Sequence, residues 1–182
     1  MSYQRSDSRP VICNANEDIL ASVIKLALGH KQDPNFADFP IITFVICYGD
    51  EVLLVHRGPK MGTPNTWSLI EGGLLVAEPI EAIFEFLRCK IGINPQDVAT
   101  LSIARRRLRL DPQARKDDGT YTCRWHEFRI FVTLRSKVIP HTNWKDREAW
   151  WMPIATLGDL PLLPITRRTL FAWLRKLGSP LV

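Results

Sequence analysis

The sequence lacks the features that mark membrane proteins and disulfide-stabilised secreted proteins. No uninterrupted apolar run approaches the ~20 residues that a transmembrane helix requires. The opening segment, MSYQRSDSRP, is polar and does not resemble a signal peptide. The four cysteines are widely spaced and form no CxxC pair, which argues against a zinc knuckle or a dense disulfide framework. We therefore expect a cytoplasmic protein with reduced thiols and no membrane partner.

Internal repeats and low-complexity segments are also absent, so a repeat architecture is not expected. The 182 residues are 46% hydrophobic, which is enough to bury a core, and this length favours one globular unit. The formal net charge is +5. Ordinary surface lysines explain this charge, and it is equally compatible with an anionic ligand such as a phosphate ester.

The first 39 residues predict an N-terminal helical extension to a main domain that we place at residues 40–182. A helix is expected at residues 16–29, because Asn16 is a suitable N-cap and Gly29 can end the helix. The segment that follows, KQDPNFADFP, contains two prolines and is expected to be a connector.

Strands and helices then alternate along the main domain. Two apolar, β-branched runs flank Gly49 and Asp50 and predict a β-hairpin. The further expected elements are a loop leading to a short strand at Trp67, a helix at 78–91, strands near 101–110 and 121–136, a short strand AWWMPI, and a closing helix TRRTLFAWLRKLG. This mixture predicts an α+β fold with α/β/α layers and a mixed sheet between helices.

The order of these segments resembles the Nudix hydrolase superfamily over roughly residues 40–175. The segments that carry the resemblance are EVLLVHR, WSLIEGG, EPIEAIFEFLRCKIGI and REAWWMPIATLGDLPLLP. The signature of this family is G-x5-E-x7-R-E-U-x-E-E-x-G-U, where U is a bulky apolar residue. The resemblance implies a helix whose glutamates hold Mg²⁺ or Mn²⁺ against a diphosphate, so that water can cleave the phosphoanhydride.

The sequence departs from this signature at the metal-binding positions. Counting back from Gly92, the positions that read R-E-U-x-E-E in the family are occupied by Glu85, Phe86, Leu87, Arg88, Cys89 and Lys90. All three metal-binding carboxylates of this block are replaced. Phenylalanine offers no ligand, lysine adds a positive charge, and cysteine is a poor ligand for magnesium.

A second acidic set offers a displaced metal site. Glu78, Glu81 and Glu85 have helical i, i+3, i+7 spacing and share a face, and Glu71 approaches from the preceding turn. Candidate catalytic residues are therefore Glu78, Glu81 and Glu85, and candidate metal ligands are Glu71, Glu81 and Glu85. The alternative is that Glu78 and Glu81 favour the positive helix N-terminus, while Glu85 faces solvent or pairs with Arg88.

Candidate ligand-binding residues lie on both sides of this helix in the sequence. Arg57 and Trp67 can frame a ligand cleft, with Gly72 and Gly73 at the turn, as the family resemblance implies. The alternative for Trp67 is a place in the core. The later aromatic residues are expected to pack the last helix against the sheet, and they are Trp150, Trp151, Phe171 and Trp173.

The basic segment ARRRLRL offers a second ligand-binding surface. As a strand it places Arg105, Arg107 and Arg109 on one face, where they receive nucleotide phosphates or a nucleic-acid backbone, or are simply solvated. Glu127 is a candidate ligand-binding residue or general base. Strand alternation puts Glu127 and His126 on opposite faces, which weakens a His–Glu dyad.

Three functional hypotheses follow. The first is a Nudix-fold protein that binds a nucleotide-type ligand with weak or no hydrolysis. The second is an active, metal-dependent pyrophosphohydrolase that uses the displaced glutamates. The third is an RNA- or ribosome-associated protein with an inactive Nudix fold. The expected partner is a nucleoside-diphosphate-type small molecule, with nucleic acid and a second copy in a homodimer as further options.

Overall fold

The structure is a computed structural model that describes residues 10–13, 36–72, 79–111, 115–116, 119–120, 122–141 and 146–176. The strands in these ranges are β1 (Val11–Cys13), β2 (Phe36–Tyr48), β3 (Glu51–Arg57), β4 (Trp67–Ser68), β5 (Ile70–Gly72), β6 (Val98–Asp111), β7 (Arg115–Lys116), β8 (Gly119–Thr120), β9 (Thr122–Leu134) and β10 (Asp146–Pro153). The α-helices are α1 (Pro79–Ile91) and α2 (Pro164–Lys176). The helix predicted at 16–29 lies outside the described residues, as do Gly73 and Glu78.

One mixed sheet forms the centre of the fold. Its main path runs in the order β1, β6, β9, β2, β3 and β10. β1 pairs in parallel with β6, and β2 in parallel with β9, whereas the other pairs on this path are antiparallel. The mixed sheet predicted from the sequence is therefore confirmed.

The predicted hairpin is formed by β2 and β3, which pair directly only beside the turn at Gly49 and Asp50. Beyond those pairs, β5 is hydrogen-bonded to β2 and β4 is hydrogen-bonded to β3. The segment from Trp67 to Gly72 thus lies between the two strands of the hairpin. This insertion brings the start of α1 close to the centre of the sheet.

The start of β2 differs from the prediction. The strand begins at Phe36, so the second half of the expected connector is extended backbone and the boundary placed at residue 40 falls inside a strand. The physical reason is tertiary: residues 36–47 pair continuously with residues 122–133 of β9, which supplies backbone partners that the local sequence does not reveal. β1 adds a further strand that was not predicted.

The two helices cover opposite faces of the sheet. α1 buries Ala82, Ile83, Leu87 and Ile91 in one hydrophobic cluster, and α2 buries Leu170 and Leu174 in another. Neighbouring residues of β3 divide between the clusters, because successive strand side chains point to opposite faces. The predicted α/β/α layering is confirmed. Within the described ranges, no helix is long and apolar enough to cross a membrane.

Gly92 ends α1, as the sequence predicts. Its φ of 84° lies in the left-handed region, which side chains with a Cβ rarely adopt. The Gly92 N–H donates to the Arg88 carbonyl over 3.1 Å. His141 packs over this turn, and its N–H donates to the Ile91 carbonyl over 3.2 Å.

Candidate functional site

Phe86 occupies the position at which the Nudix signature places its first metal-binding carboxylate. Its ring stacks on the buried ring of Phe44, with centroids 4.9 Å apart and planes 11° apart. A Cβ added to Gly72 would lie only 2.3 Å from Cε2 of Phe86. The aromatic ring therefore fills the space between α1 and the strands β2 and β5, and Gly72 permits the close approach because it has no side chain.

Glu85 lies on the exposed side of α1, and both of its carboxylate oxygens accept hydrogen bonds from neighbouring side chains. Arg88 Nη2 donates to both carboxylate oxygens, at 2.9 and 2.7 Å, and Cys89 Sγ donates to Oε1 at 3.0 Å. The hydrogen bond from Cys89, followed by that from Arg88, lowers the pKa of Glu85. The ion pair that the alternative reading predicts, Glu85 with Arg88, is present.

Of the displaced acidic set, the described residues Glu71 and Glu81 do not lie on one surface. Glu81 is exposed on α1. Glu71 lies on β5 between two residues that face α1. Ile70 belongs to the core cluster under that helix, and Gly72 faces Phe86. Strand alternation therefore directs Glu71 to the opposite face of the sheet. Within the described part of the chain, no group of three or more His, Cys, Asp or Glu side chains is placed to hold a metal ion.

The residues around α1 do not fit a divalent cation of the kind that the resemblance implies. Mg²⁺ requires oxygen ligands in near-octahedral geometry. Phe86 presents an aromatic ring at the first of the expected positions, and Lys90 brings a positive charge to the last. The oxygens of Glu85 already accept hydrogen bonds from Arg88 and Cys89. No metal-assisted step can be derived from this arrangement.

Arg57, a candidate ligand-binding residue, fixes the loop that follows it. Its Nε and Nη2 both donate to the Gly62 carbonyl, at 3.0 and 2.7 Å. The same loop contains two residues with positive φ, Thr63 at 60° and Asn65 at 59°. Such values are uncommon for non-glycine residues, especially a β-branched one, so the loop is held in a strained shape.

Trp67 is half-buried and fixed on both sides by the chain around Leu162. Its N–H donates to the Pro161 carbonyl over 3.0 Å, and its carbonyl accepts from the Leu163 N–H over 2.9 Å. The indole packs against the core cluster under α2. Its ring centroid lies 4.8 Å from that of His56, the residue opposite it on β3. Trp67 therefore packs partly in the core and partly against His56.

Trp150 departs from the prediction that it packs the last helix onto the sheet. It is 55% exposed and lies in the middle of β10, the last strand on the main path of the sheet, in register with Leu54. Trp151 also departs from the prediction, because it packs against the cluster under α1 and donates its indole N–H to the Val138 carbonyl. Trp173 packs against the cluster under α2 and stacks on Phe131, as expected. Phe171 packs against the cluster under α2, as expected.

The exposed indole belongs to a cluster of four side chains that was not recognised from the sequence. Trp150 Nε1 donates to Glu148 Oε2 over 2.9 Å, and the indole meets Trp67 edge-on with centroids 6.5 Å apart. Glu148 Oε1 lies 3.8 Å from His56 Nδ1. The two-residue spacing of Glu148 and Trp150 is the sequence signal that places them on one strand face. Their proximity to His56 and Trp67 depends on strand pairing.

The basic segment lies on β6, where a bulge interrupts its pairing with β9. Arg105 is in register with Phe128 and Arg107 with Glu127, so the register shifts between them. The side chains of Arg105, Arg107 and Arg109 lie outside what the structure describes. Along β9, buried His126 alternates with half-buried Glu127, as strand geometry predicts.

Comparisons with known proteins identify the fold. No protein-family model matches the sequence, and no curated protein matches it either. The NUDIX domain of Shewanella oneidensis NrtR, solved in complex with ADP ribose, is 16% identical, with 81% of this chain and 94% of that chain covered and a TM-score of 0.55. RenU, a Nudix hydrolase from M. smegmatis, is 19% identical, with coverages of 77% and 84% and a TM-score of 0.50.

A NUDIX-family hydrolase from Clostridium perfringens is 13% identical, with 80% of this chain and 99% of that chain covered and a TM-score of 0.50. At such identities the likeness concerns the fold. The chain has the Nudix fold, and the resemblance predicted from the sequence is confirmed.

Proposed function

We propose that this Nudix-fold protein binds a nucleoside-diphosphate-type ligand and hydrolyses it weakly or not at all. The observation that carries the proposal is the position of Phe86, whose ring is stacked on Phe44 and in contact with Gly72 where the signature requires a carboxylate. An aromatic ring in this position supplies no oxygen for a cation. The nearest glutamate of α1, Glu85, is held by Arg88 and Cys89 instead.

The class of ligand is inferred from the fold and the charge. The NUDIX domain that superimposes with a TM-score of 0.55 is complexed with ADP ribose, a nucleoside diphosphate linked to a sugar. The net charge of +5 is compatible with an anionic ligand of this kind. Binding requires shape and complementary polar groups, both of which a fold retains after it has lost its catalytic ligands.

Hydrolysis is tested with a panel of nucleoside diphosphate derivatives in the presence of Mg²⁺ or Mn²⁺. We expect no metal-dependent turnover above the background without protein, because the family reaction needs the cation to neutralise phosphate oxygens. Glu81→Gln and Glu85→Gln are measured beside Glu51→Gln, whose carboxylate pairs with Lys137. Turnover that only the two α1 variants abolish would establish the displaced-site enzyme and refute this proposal.

Binding is tested separately by thermal unfolding with the same ligands in EDTA. A ligand that binds only the folded state stabilises it by about 2.7 kcal/mol at a concentration 100 times its Kd. We expect ADP ribose to raise the unfolding temperature without metal, and addition of Mg²⁺ to change this shift little. If no member of the panel shifts the transition, with or without metal, the protein does not bind this class of ligand.

A further inference from the structure

Trp150 presents a large apolar surface to solvent at the edge of the sheet. Among the described residues, it and Ile139 are the only large hydrophobic side chains that are exposed. Trp150 lies on β10, the last strand on the main path of the sheet. Its exposed ring offers a flat apolar face to a ligand, with the polar indole N–H at its edge.

The exposed indole is held in a fixed orientation. Its N–H donates to Glu148 over 2.9 Å, and its ring meets Trp67 at an angle of 63°. Trp67 is itself fixed by backbone hydrogen bonds to Pro161 and Leu163 and by ring contact with His56. We call Trp150, Glu148, Trp67 and His56 the indole platform. Because its members are already positioned, a planar ligand that stacks on Trp150 costs little side-chain ordering.

Glu148 adds a hydrogen-bond acceptor at the rim of this surface. Its Oε2 accepts from the Trp150 indole N–H, whereas Oε1 accepts no hydrogen bond from the described residues and lies 3.8 Å from His56 Nδ1. The side chain of Glu148 is 44% exposed, so this oxygen is accessible to a ligand. A carboxylate in this position accepts hydrogen bonds and donates none.

We propose that the indole platform binds the base of the nucleotide-type ligand. The base stacks on the exposed face of Trp150, and an amino group on its ring donates to Glu148 Oε1. Stacking suits the indole because every base has a π-face. The carboxylate favours bases that carry an exocyclic amine, such as adenine, over rings that present only acceptors. The assignment rests on the proposed function and names the part of the protein that recognises the base.

The size of the platform favours a small ligand over a protein partner. A stable protein interface buries about 800 Å² on each side. Among the described residues, Trp150 is the one large apolar side chain exposed on this surface, since Ile139 lies in a different segment, between Val138 and Pro140. A single fixed indole with an adjacent carboxylate matches one heterocyclic ring.

The test is isothermal titration calorimetry in EDTA with ADP ribose and, as a ligand without a base, inorganic pyrophosphate. We expect Trp150→Ala to weaken ADP ribose binding about tenfold or more, in line with the loss of one base–aromatic stack. Binding of pyrophosphate should not change. Ile139→Ala, which removes the other exposed apolar side chain, should leave the affinity for both ligands unchanged.

Two further variants separate stacking from packing. Trp150→Phe keeps an aromatic face and should recover part of the affinity, whereas Glu148→Ala should weaken ADP ribose binding alone. Thermal unfolding of each variant verifies that it is folded. Tight binding of ADP ribose that neither Trp150→Ala nor Glu148→Ala alters would overturn the base site and leave the proposed function intact. Wild-type protein that binds neither ligand would overturn both.

Discussion

Gly72 and Phe86 form an apolar contact between α1 and the sheet. The ring of Phe86 lies where any side chain at position 72 would begin, and it stacks on Phe44 beneath. A carboxylate at position 86 would face the same apolar surroundings and would need a cation or other partner to remain charged. Phe86 instead packs against the core cluster under α1.

Gly72→Ala is predicted to destabilise the protein. The new Cβ would lie 2.3 Å from Cε2 of Phe86, so the ring or the helix must move, at a cost of about 1–3 kcal/mol. Gly158→Ala is the matched control, because nothing lies within 4 Å of its Cβ position. Urea unfolding measures both free energies. Combining Gly72→Ala with Phe86→Leu should recover part of the loss, and equal effects of the two glycine variants would exclude this steric account.

Cys89 and Glu85 are coupled through one hydrogen bond, with opposite effects on their pKa values. Donation from the thiol to the carboxylate raises the pKa of Cys89 and lowers that of Glu85. The carboxylate therefore stays charged to lower pH, and the stability it contributes is present above its unfolded-state pKa and lost as pH falls through the folded-state value.

Glu85→Gln is predicted to make Cys89 more reactive. Without the carboxylate the thiol pKa falls toward its ordinary value, and the thiolate fraction below that pKa rises about tenfold for each unit of the fall. Iodoacetamide labelling followed by peptide mass spectrometry measures the rate at pH 8. Cys47 serves as an internal control, because burial raises its pKa to about 12. A labelling rate at Cys89 that is the same in wild type and variant would contradict the coupling.

At the scale of elements, α2 is joined to the strand segment that inserts into the hairpin. The Thr166 hydroxyl accepts a buried hydrogen bond from the Leu69 N–H over 3.1 Å, between β4 and β5. This N–H lies where the chain passes from one strand to the next and has no ladder partner of its own. The helix thus satisfies a backbone group that the sheet leaves over.

Thr166→Val is predicted to cost about 1–3 kcal/mol, because it leaves the buried Leu69 N–H without an acceptor. Thr169→Val is its control. Thr169 is equally buried on α2, but its hydroxyl has no hydrogen-bond partner among the described residues, so the change should be neutral or stabilising. Chemical denaturation compares the two. If Thr169→Val lowers the free energy of unfolding as much as Thr166→Val does, the hydrogen bond to Leu69 does not explain the loss of stability.

At the scale of the whole molecule, the sheet contributes side chains to two hydrophobic clusters, one on each of its faces. Leu53 and Leu54 are adjacent on β3 and both fully buried, yet Leu53 belongs to the cluster under α1 and Leu54 to the cluster under α2. Loss of packing on either side exposes the same strands. Unfolding of the two layers should therefore be cooperative.

Leu53→Ala and Leu54→Ala are each predicted to lower the free energy of unfolding by about 2–5 kcal/mol in a single transition. Tryptophan fluorescence and far-ultraviolet circular dichroism should give the same midpoint for each variant. The surface change Ile139→Ala, at a side chain that is 95% exposed, should have little effect. Transitions that separate in one leucine variant would show that the layers unfold independently.

Most of the elements follow from local residue chemistry and could be predicted from the sequence. The turn at Gly49 and Asp50, the end of α1 at Gly92 and the apolar face of α1 follow from glycine conformation and residue spacing. One alternative drawn from the sequence, the pairing of Glu85 with Arg88, is also present, since i, i+3 neighbours can be identified along one helix.

The features that join distant segments depend on tertiary packing and could not be predicted from the sequence. Pairing with β9 makes a strand of residues 36–40, and the alternation of β5 separates Glu71 from the glutamates of α1. The contacts of Phe86 with Phe44 and Gly72, and of Trp150 with Trp67, arise from strand and helix packing. Sequence spacing fixes which residues share a face of one element, whereas the pairing of elements fixes which faces meet.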